Sequence, residues 1–266
     1  MGQTAIIGAG VMGETLLSGL VRAGRRVDHL LVGEKRADRA RELEERYGVA
    51  VVSNIEAAKA DTVALVVKPQ DMAAVLEEIA PSLRPGQLLV SLAAGITTAF
   101  IESRVPEGVA VVRVMPNTPA LVDEGMAAIS PGSHCDEVHL AEAESLLAST
   151  GRVVRVPEKQ QDAVTAISGS GPAYIFFVVE SMIEAGVHLG LPRATSSEMV
   201  IQTLYGSATM LRETGTHPVV LREQVTSPGG TTAAALRELE IHKVRAAFLA
   251  AMEAARDRSR ELAEGS

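Results

Sequence analysis

Along the first half of the chain, short apolar runs rich in β-branched residues alternate with stretches whose apolar positions recur every three or four residues. The short runs predict strands at 4–7, 30–33, 62–67, 88–91 and 111–115. The helical period between them predicts helices at 12–23, 37–47 and 71–80, and a shorter one after Thr97. Alternation at this spacing indicates βαβ units around a parallel sheet. A further strand is expected near 126–129, a helix at 136–149 and a last strand near 153–156. From about Glu158 the texture changes. No convincing strand follows, and helical patterns rich in Ala, Leu and Glu cover 160–167, 173–189, 194–214, 218–225, 231–240 and 243–263. The pattern thus predicts an α/β domain at 1–157 and an all-helical domain at 158–266.

Composition narrows this picture. With 47% hydrophobic and 22% charged residues the chain has ample material for a core, and with 3% aromatics and no Trp that core must be Ala, Val, Leu and Ile. The most apolar stretch, AYIFFVVESMIEAGVHLGL, carries Glu180, Glu184 and His188. A membrane span needs about 20 nearly uncharged residues, so a buried helix of a soluble protein is expected instead. A helix apolar on several faces needs several partners, which predicts a homo-oligomer through the C-terminal helices. The net charge of −8 and the lack of a long basic run argue against nucleic acid or a membrane surface as the main partner. Cys135 is the one cysteine, which forbids an internal disulfide and suits a reducing cytoplasm. The start, MGQTAIIGAG, has no positively charged signal-peptide region and enters a strand at once.

The first chemistry lies in AIIGAGVMGE, where Gly8, Gly10 and Gly13 hold the spacing G-x-G-x-x-G between a strand and a helix. The first glycine permits the turn, the second lets backbone approach a pyrophosphate, and the third lets helix and strand pack closely. This predicts a Rossmann-type dinucleotide-binding domain. At the end of the second strand Glu34 stands where an acid bonds a ribose 2′-hydroxyl, which favours NAD(H). Lys35 and Arg36 follow and suit a 2′-phosphate, which favours NADP(H). The balance tips slightly to NADP(H), with NAD(H) retained; a solvated helix start is the plain alternative.

A second glycine turn, TSPGGTT at 226–232, also opens a helix. Free N–H groups and the helix dipole converge at such a place and favour an anion. The set VVKPQDM, SLAAGIT, RVMPNTPALVDEG, SGSGPAYIF and TSPGGTT, in this order and over essentially the whole chain, resembles pyrroline-5-carboxylate reductase. The resemblance implies a Rossmann-type domain followed by a helical dimerisation domain, with dimers that often associate into decamers. It implies hydride transfer from NAD(P)H to the C=N bond of 1-pyrroline-5-carboxylate, giving L-proline, near the dimer interface. Carried over, Gly8, Ala9, Gly10, Val11, Met12 and Gly13 form the pyrophosphate turn. Lys35, with Arg36 beside it, and Asn54 lie near the adenosine ribose. Val67, Lys68 and Pro69, then Ala93, Ala94 and Gly95, line the cofactor, and Asn117 lies near the nicotinamide. Glu158, Ser227, Gly230, Thr231 and Thr232 correspond to the substrate pocket, and Gln224 to a cofactor contact.

On this reading the chain has two anion sites because two anions bind: a pyrophosphate and an amino-acid carboxylate. Thr232 is the candidate catalytic residue, its hydroxyl orienting the imine nitrogen, with Thr231 as rival. His134, Cys135 and His139 match no zinc spacing, and Asp136 reads as a helix N-cap, so no metal site is expected. The rivals are another imine reductase or a β-hydroxyacid dehydrogenase of the same plan, and a non-catalytic cofactor sensor. The lysine a β-hydroxyacid dehydrogenase offers is absent from SGSGPAYIF. One departure from the family is IHKVRAAF, where relatives often carry a glycine and an aromatic.

Overall fold

The computed structural model describes residues 2–264. Strands β1 (Thr4–Ile7), β2 (Leu30–Gly33), β3 (Ala50–Val52), β4 (Thr62–Leu65), β5 (Leu88–Ser91), β6 (Ala110–Met115), β7 (Gly125–Pro131) and β8 (Gly151–Arg155) form one sheet in the order β3-β2-β1-β4-β5-β6-β7-β8. Pairing is parallel from β3 to β6. β7 runs antiparallel to β6 and parallel to β8. The β6–β7 connection holds only a short 3-10 turn at Thr118–Val122, too little for a crossover helix, so the chain reverses there.

Helices α1 (Val11–Arg22), α2 (Ala37–Tyr47), α3 (Asn54–Ala57), α4 (Met72–Ile79), α5 (Thr98–Glu102) and α6 (Glu137–Leu147) cover the sheet. One core layer joins Leu16, Leu17 and Leu20 of α1, Leu43 of α2 and Leu146 of α6 to one face. The other joins Ala57, Met72, Leu76, Ile79 and Ile101 to the opposite face. β1, β4 and β5 are buried at every position, which is why they appear as continuous apolar runs rather than alternating ones. Each fully buried Leu of α1 contributes about 1.5–3 kcal/mol. β3 and α3, absent from the sequence expectation, are short and sit at the sheet's edge side, where a three-residue strand leaves little periodic signal. Asp136 caps α6 as expected, accepting from the His139 N–H at 3.0 Å. Cys135 donates to the Val111 carbonyl at 3.0 Å, and burial pushes its thiol pKa up.

The chain divides into two compact units, 1–170 with 255–266, and 171–254. The sheet unit includes α7 (Gln161–Val164) and a π-helical turn at Thr165–Gly169, which carries the first half of the SGSG motif. Buried Gln161 ties this segment down by donating to Ala128 and Ser130. The helical unit consists of α8 (Gly171–His188), α9 (Arg193–Thr214), α10 (Pro218–Gln224), α11 (Thr231–Ile241) and the start of α12 (Val244–Glu264). α8 and α9 pack closely at Gly186, where an added Cβ would strike the Ser196 hydroxyl, itself bonded to the Ile183 carbonyl at 2.9 Å.

Of the two kinds of burial expected for the apolar helix, within one subunit or against a second copy, the single chain does not provide the first. α8 has no buried residue, and Ile175, Phe176, Phe177 and Met182 are exposed. The stretch 158–188 is long and apolar enough to cross a membrane, with mean hydropathy 1.3 and only 6% of its most apolar window buried.

Candidate active site

The first glycine turn sits where β1 neighbours both β2 and β4, the switch point at which ligands bind in open α/β sheets. Gly8 has φ +97°, and a Cβ there would lie 2.6 Å from the Val66 carbonyl oxygen. A Cβ on Gly13 would fall onto the Gly8 carbonyl, while one on Gly10 would meet nothing within 4 Å. Two glycines therefore serve the chain's own packing and the third leaves open room. Gly10 caps α1 with no side-chain bond, so the first-turn N–H groups of Val11, Met12 and Gly13 are left for an incoming group. This open, uncapped cradle fits a dinucleotide pyrophosphate.

A brace unforeseen in the sequence holds the turn. Arg39 of α2 donates to the Ala9 carbonyl at 3.2 Å, to Glu42 at 2.6 Å and to Glu14. Glu14 also accepts from Arg46 at 2.7 Å and Tyr47 at 2.8 Å. Burial raises the Glu14 carboxyl, but the bonds from Arg39, Tyr47 and Arg46 outweigh it and hold it below the usual range. Because a peptide unit is planar and trans, fixing the Ala9 carbonyl toward Arg39 turns the Gly10 N–H the opposite way. Arg39→Met is expected to raise KM for NADPH and NADH alike by roughly tenfold, the worth of a bond from a charged donor. Steady-state kinetics in both cofactors checks this; a loss confined to kcat refutes it.

At the end of β2, Arg36 folds back onto Glu34, its N–H at 3.0 Å and its Nε at 3.2 Å. The Glu34 side chain is 9% exposed against 62% for Arg36. Burial raises the Glu34 carboxyl, yet its bonds from Arg36 keep it below the ordinary range and ionised. Lys35 reaches Glu78 of α4 at 2.8 Å, and Asn54 donates to the same carboxylate at 3.1 Å. The structure thus brings Lys35 and Asn54 together, through a residue that sequence spacing gave no reason to name.

The other loops expected along the cofactor gather at the same sheet edge. The Val67 side chain lies 3.0 Å from where a Gly8 Cβ would sit. Lys68 precedes a 3-10 turn that opens at Pro69. Ala93 is buried, and Gly95 turns with φ +77°. Pro69, Ala94, Gly95, Phe100, Thr165 and Ser170 help line a cleft of about 820 Å³ within this unit. Asn117 is engaged at both ends of its amide, accepting from the Met126 N–H at 2.8 Å and donating to the Ser168 carbonyl at 3.1 Å. It locks the β6–β7 reversal to the π-helical turn. Glu158 is likewise engaged at both oxygens, by the Thr98 N–H at 2.8 Å, the Thr98 hydroxyl at 2.7 Å and Arg113 at 3.3 Å. Its carboxylate therefore braces the start of α5, a role the sequence did not suggest.

In the helical unit, α11 opens at the second glycine turn. Gly229 has φ +67°, and Gly230 caps the helix with no side-chain bond. The Gly230 N–H donates to the Ser227 carbonyl at 3.0 Å, and a Cβ at Gly230 would strike the Ser227 hydroxyl. That bond takes the Gly230 N–H and leaves the first-turn N–H groups from Thr231 onward without an intrahelical partner. Thr231 is exposed and Thr232 half-buried. Gln224 ends α10 three residues before Ser227.

Residues 158–262 match the family model for pyrroline-5-carboxylate reductase dimerisation, and residues 3–95 match one described as NADP oxidoreductase, coenzyme F420-dependent. A pyrroline-5-carboxylate reductase from Corynebacterium melassecola is 46% identical over 267 residues, covering 98% of this chain and 99% of that protein. The solved pyrroline-5-carboxylate reductase of Coxiella burnetii superposes with a TM-score of 0.95 at 37% identity, covering 98% of each chain. That of Plasmodium falciparum, solved with NADP bound, gives 0.86 at 31% identity, again over 98% of each chain. With both glycine turns in place and likeness over its whole length, the chain belongs to the pyrroline-5-carboxylate reductase family.

Proposed function

We propose that this chain reduces 1-pyrroline-5-carboxylate to L-proline, the last step of proline biosynthesis, and that NADPH is preferred over NADH. The observation that carries the substrate reading is the uncapped, glycine-opened start of α11, an anion site made of backbone N–H groups. The N–H groups of Thr231 and the residues after it hold the carboxylate, and the Ser227 hydroxyl packs against Gly230 to fix the turn. Thr232, more sheltered than Thr231, orients the ring nitrogen through its hydroxyl. The reduced nicotinamide supplies the hydride when bound. A protonated imine is electrophilic by itself, so the chain's residues mainly orient the substrate and exclude water.

Cofactor preference rests on Lys35 and Arg36, which are 70% and 62% exposed and so free to exchange their carboxylate partners for a 2′-phosphate. The functional division lies at 157/158, with the cofactor residues mostly before it and the substrate residues after. The bare apolar faces of α8 and α9 are covered by a second copy of the chain, giving a homodimer and, by assembly of dimers, a decamer. The lone Cys135, with no disulfide to form, suits a cytoplasmic enzyme, and the net charge of −8 suits one with neither an anionic membrane nor nucleic acid as partner.

Purified protein is expected to oxidise NADPH, and NADH more slowly, only when 1-pyrroline-5-carboxylate is present. Thr232→Ala should then lower turnover by about 10-fold or more. Absence of turnover with either cofactor overturns the reading, and unchanged kinetics in a folded Thr232→Ala variant removes Thr232 from the mechanism.

A further inference from the structure

Glu78 is the residue at the cofactor end of the sheet unit for which the reaction has no use. It reaches from α4 to two groups of the ribose end, the Lys35 ammonium at 2.8 Å and the Asn54 amide at 3.1 Å. Its side chain is 28% exposed, and the contact with Lys35, then that with Asn54, holds its carboxyl below the usual range despite partial burial, so it is charged at neutral pH. We propose that Glu78 is a specificity-determining residue for the cofactor: its carboxylate occupies, from inside the chain, the cation and the amide that a ribose 2′-phosphate would use, and so limits the advantage of NADPH over NADH. This deepens the reading that Lys35 and Asn54 face the adenosine ribose, and rests on it.

A 2′-phosphate must take Lys35 from an anion already bound to it, and then lie close to that anion. Like charges set side by side are a common device against an unwanted ligand. A ribose 2′-hydroxyl carries no charge and meets no such opposition. Lys35 is mostly exposed, and exposed ion pairs are weak and readily exchanged. Glu78 therefore tunes the preference and does not forbid NADPH. The nearby Glu34 is a second anion, paired in the same way with Arg36, whose guanidinium can serve both it and a phosphate.

The test is Glu78→Gln in the full chain, with kcat/KM measured for NADPH and NADH at low salt. The expected result is a rise of about fivefold in the NADPH-to-NADH ratio, carried by KM for NADPH, that shrinks as salt is added. Glu78→Ala, which removes the acceptor oxygens as well, should move the ratio the same way and serves if the Gln variant folds poorly. An unchanged ratio, or equal loss for both cofactors, overturns the proposal. Lys35→Met separates the two layers of the argument. If it lowers NADPH use while Glu78→Gln leaves the ratio unmoved, Glu78 has no such role and the ribose reading stands. If Lys35→Met also leaves the ratio unmoved, the ribose reading fails with it.

Discussion

Gly13→Ala is expected to lower kcat/KM for NADPH and NADH together by about 100-fold, the scale of loss when reacting groups are misplaced by about 1 Å. The added Cβ has nowhere to go, because it would fall onto the Gly8 carbonyl, with the Ile6 side chain 3.5 Å away on the far side. Gly8 cannot retreat. Its φ of +97° is open only to glycine, and the Val66 carbonyl stands just behind it. Relief therefore comes from lifting α1 off β1, which moves the N–H groups of the pyrophosphate turn out of register. Gly10→Ala makes the informative comparison. A Cβ there meets nothing in the chain, so that variant should keep its melting temperature and lose cofactor affinity only through collision with the ligand. Gly13→Ala should lose both. Cofactor titration and thermal melting of the two variants check this, and a Gly13→Ala enzyme with ordinary KM for both cofactors refutes it.

These two glycines also show what a sequence of this kind reveals. The G-x-G-x-x-G spacing named the turn, and the alternation of strands and helices placed it between a strand and a helix of a parallel sheet, because buried parallel strands leave long apolar runs; the strand order that makes the place a switch point is seen only in the fold. The reversal into β7 lay beyond that pattern, since strand direction depends on the length of a connection rather than on the strand's own residues. Arg39 and Glu78 were equally hidden. Each acts on a residue far away in the chain, Arg39 on Ala9 and Glu78 on Lys35, and no spacing rule links α2 or α4 to those partners. The second glycine turn was legible as an uncapped helix start because that is local backbone geometry. What faces it is not local, and α8 shows the same limit: its apolar faces promised burial, which the single chain does not provide.

Glu158 tests that limit most sharply, because motif resemblance places it in the substrate pocket while its contacts place it inside the sheet unit. Arg113 is 8% exposed and pairs with Glu158, which is 28% exposed. Glu158→Ala leaves that guanidinium buried without its anion, and strips the Thr98 N–H and hydroxyl of their acceptor at the first turn of α5. Breaking a buried pair by removing one partner costs about 3 kcal/mol. For a chain of this size that corresponds to a fall in Tm of roughly 6–12 °C. Glu158→Gln keeps an acceptor for Thr98 but not the charge, and should fall between Ala and the parent. The double variant Glu158→Ala with Arg113→Met removes both charges, so it should recover part of the stability lost in Glu158→Ala, an outcome no substrate contact would produce. Melting curves for the three variants, set beside KM for 1-pyrroline-5-carboxylate, decide between the roles. A stable Glu158→Ala protein with a raised substrate KM returns the residue to the pocket, and a destabilised one with an ordinary KM makes it a brace of the α5 start.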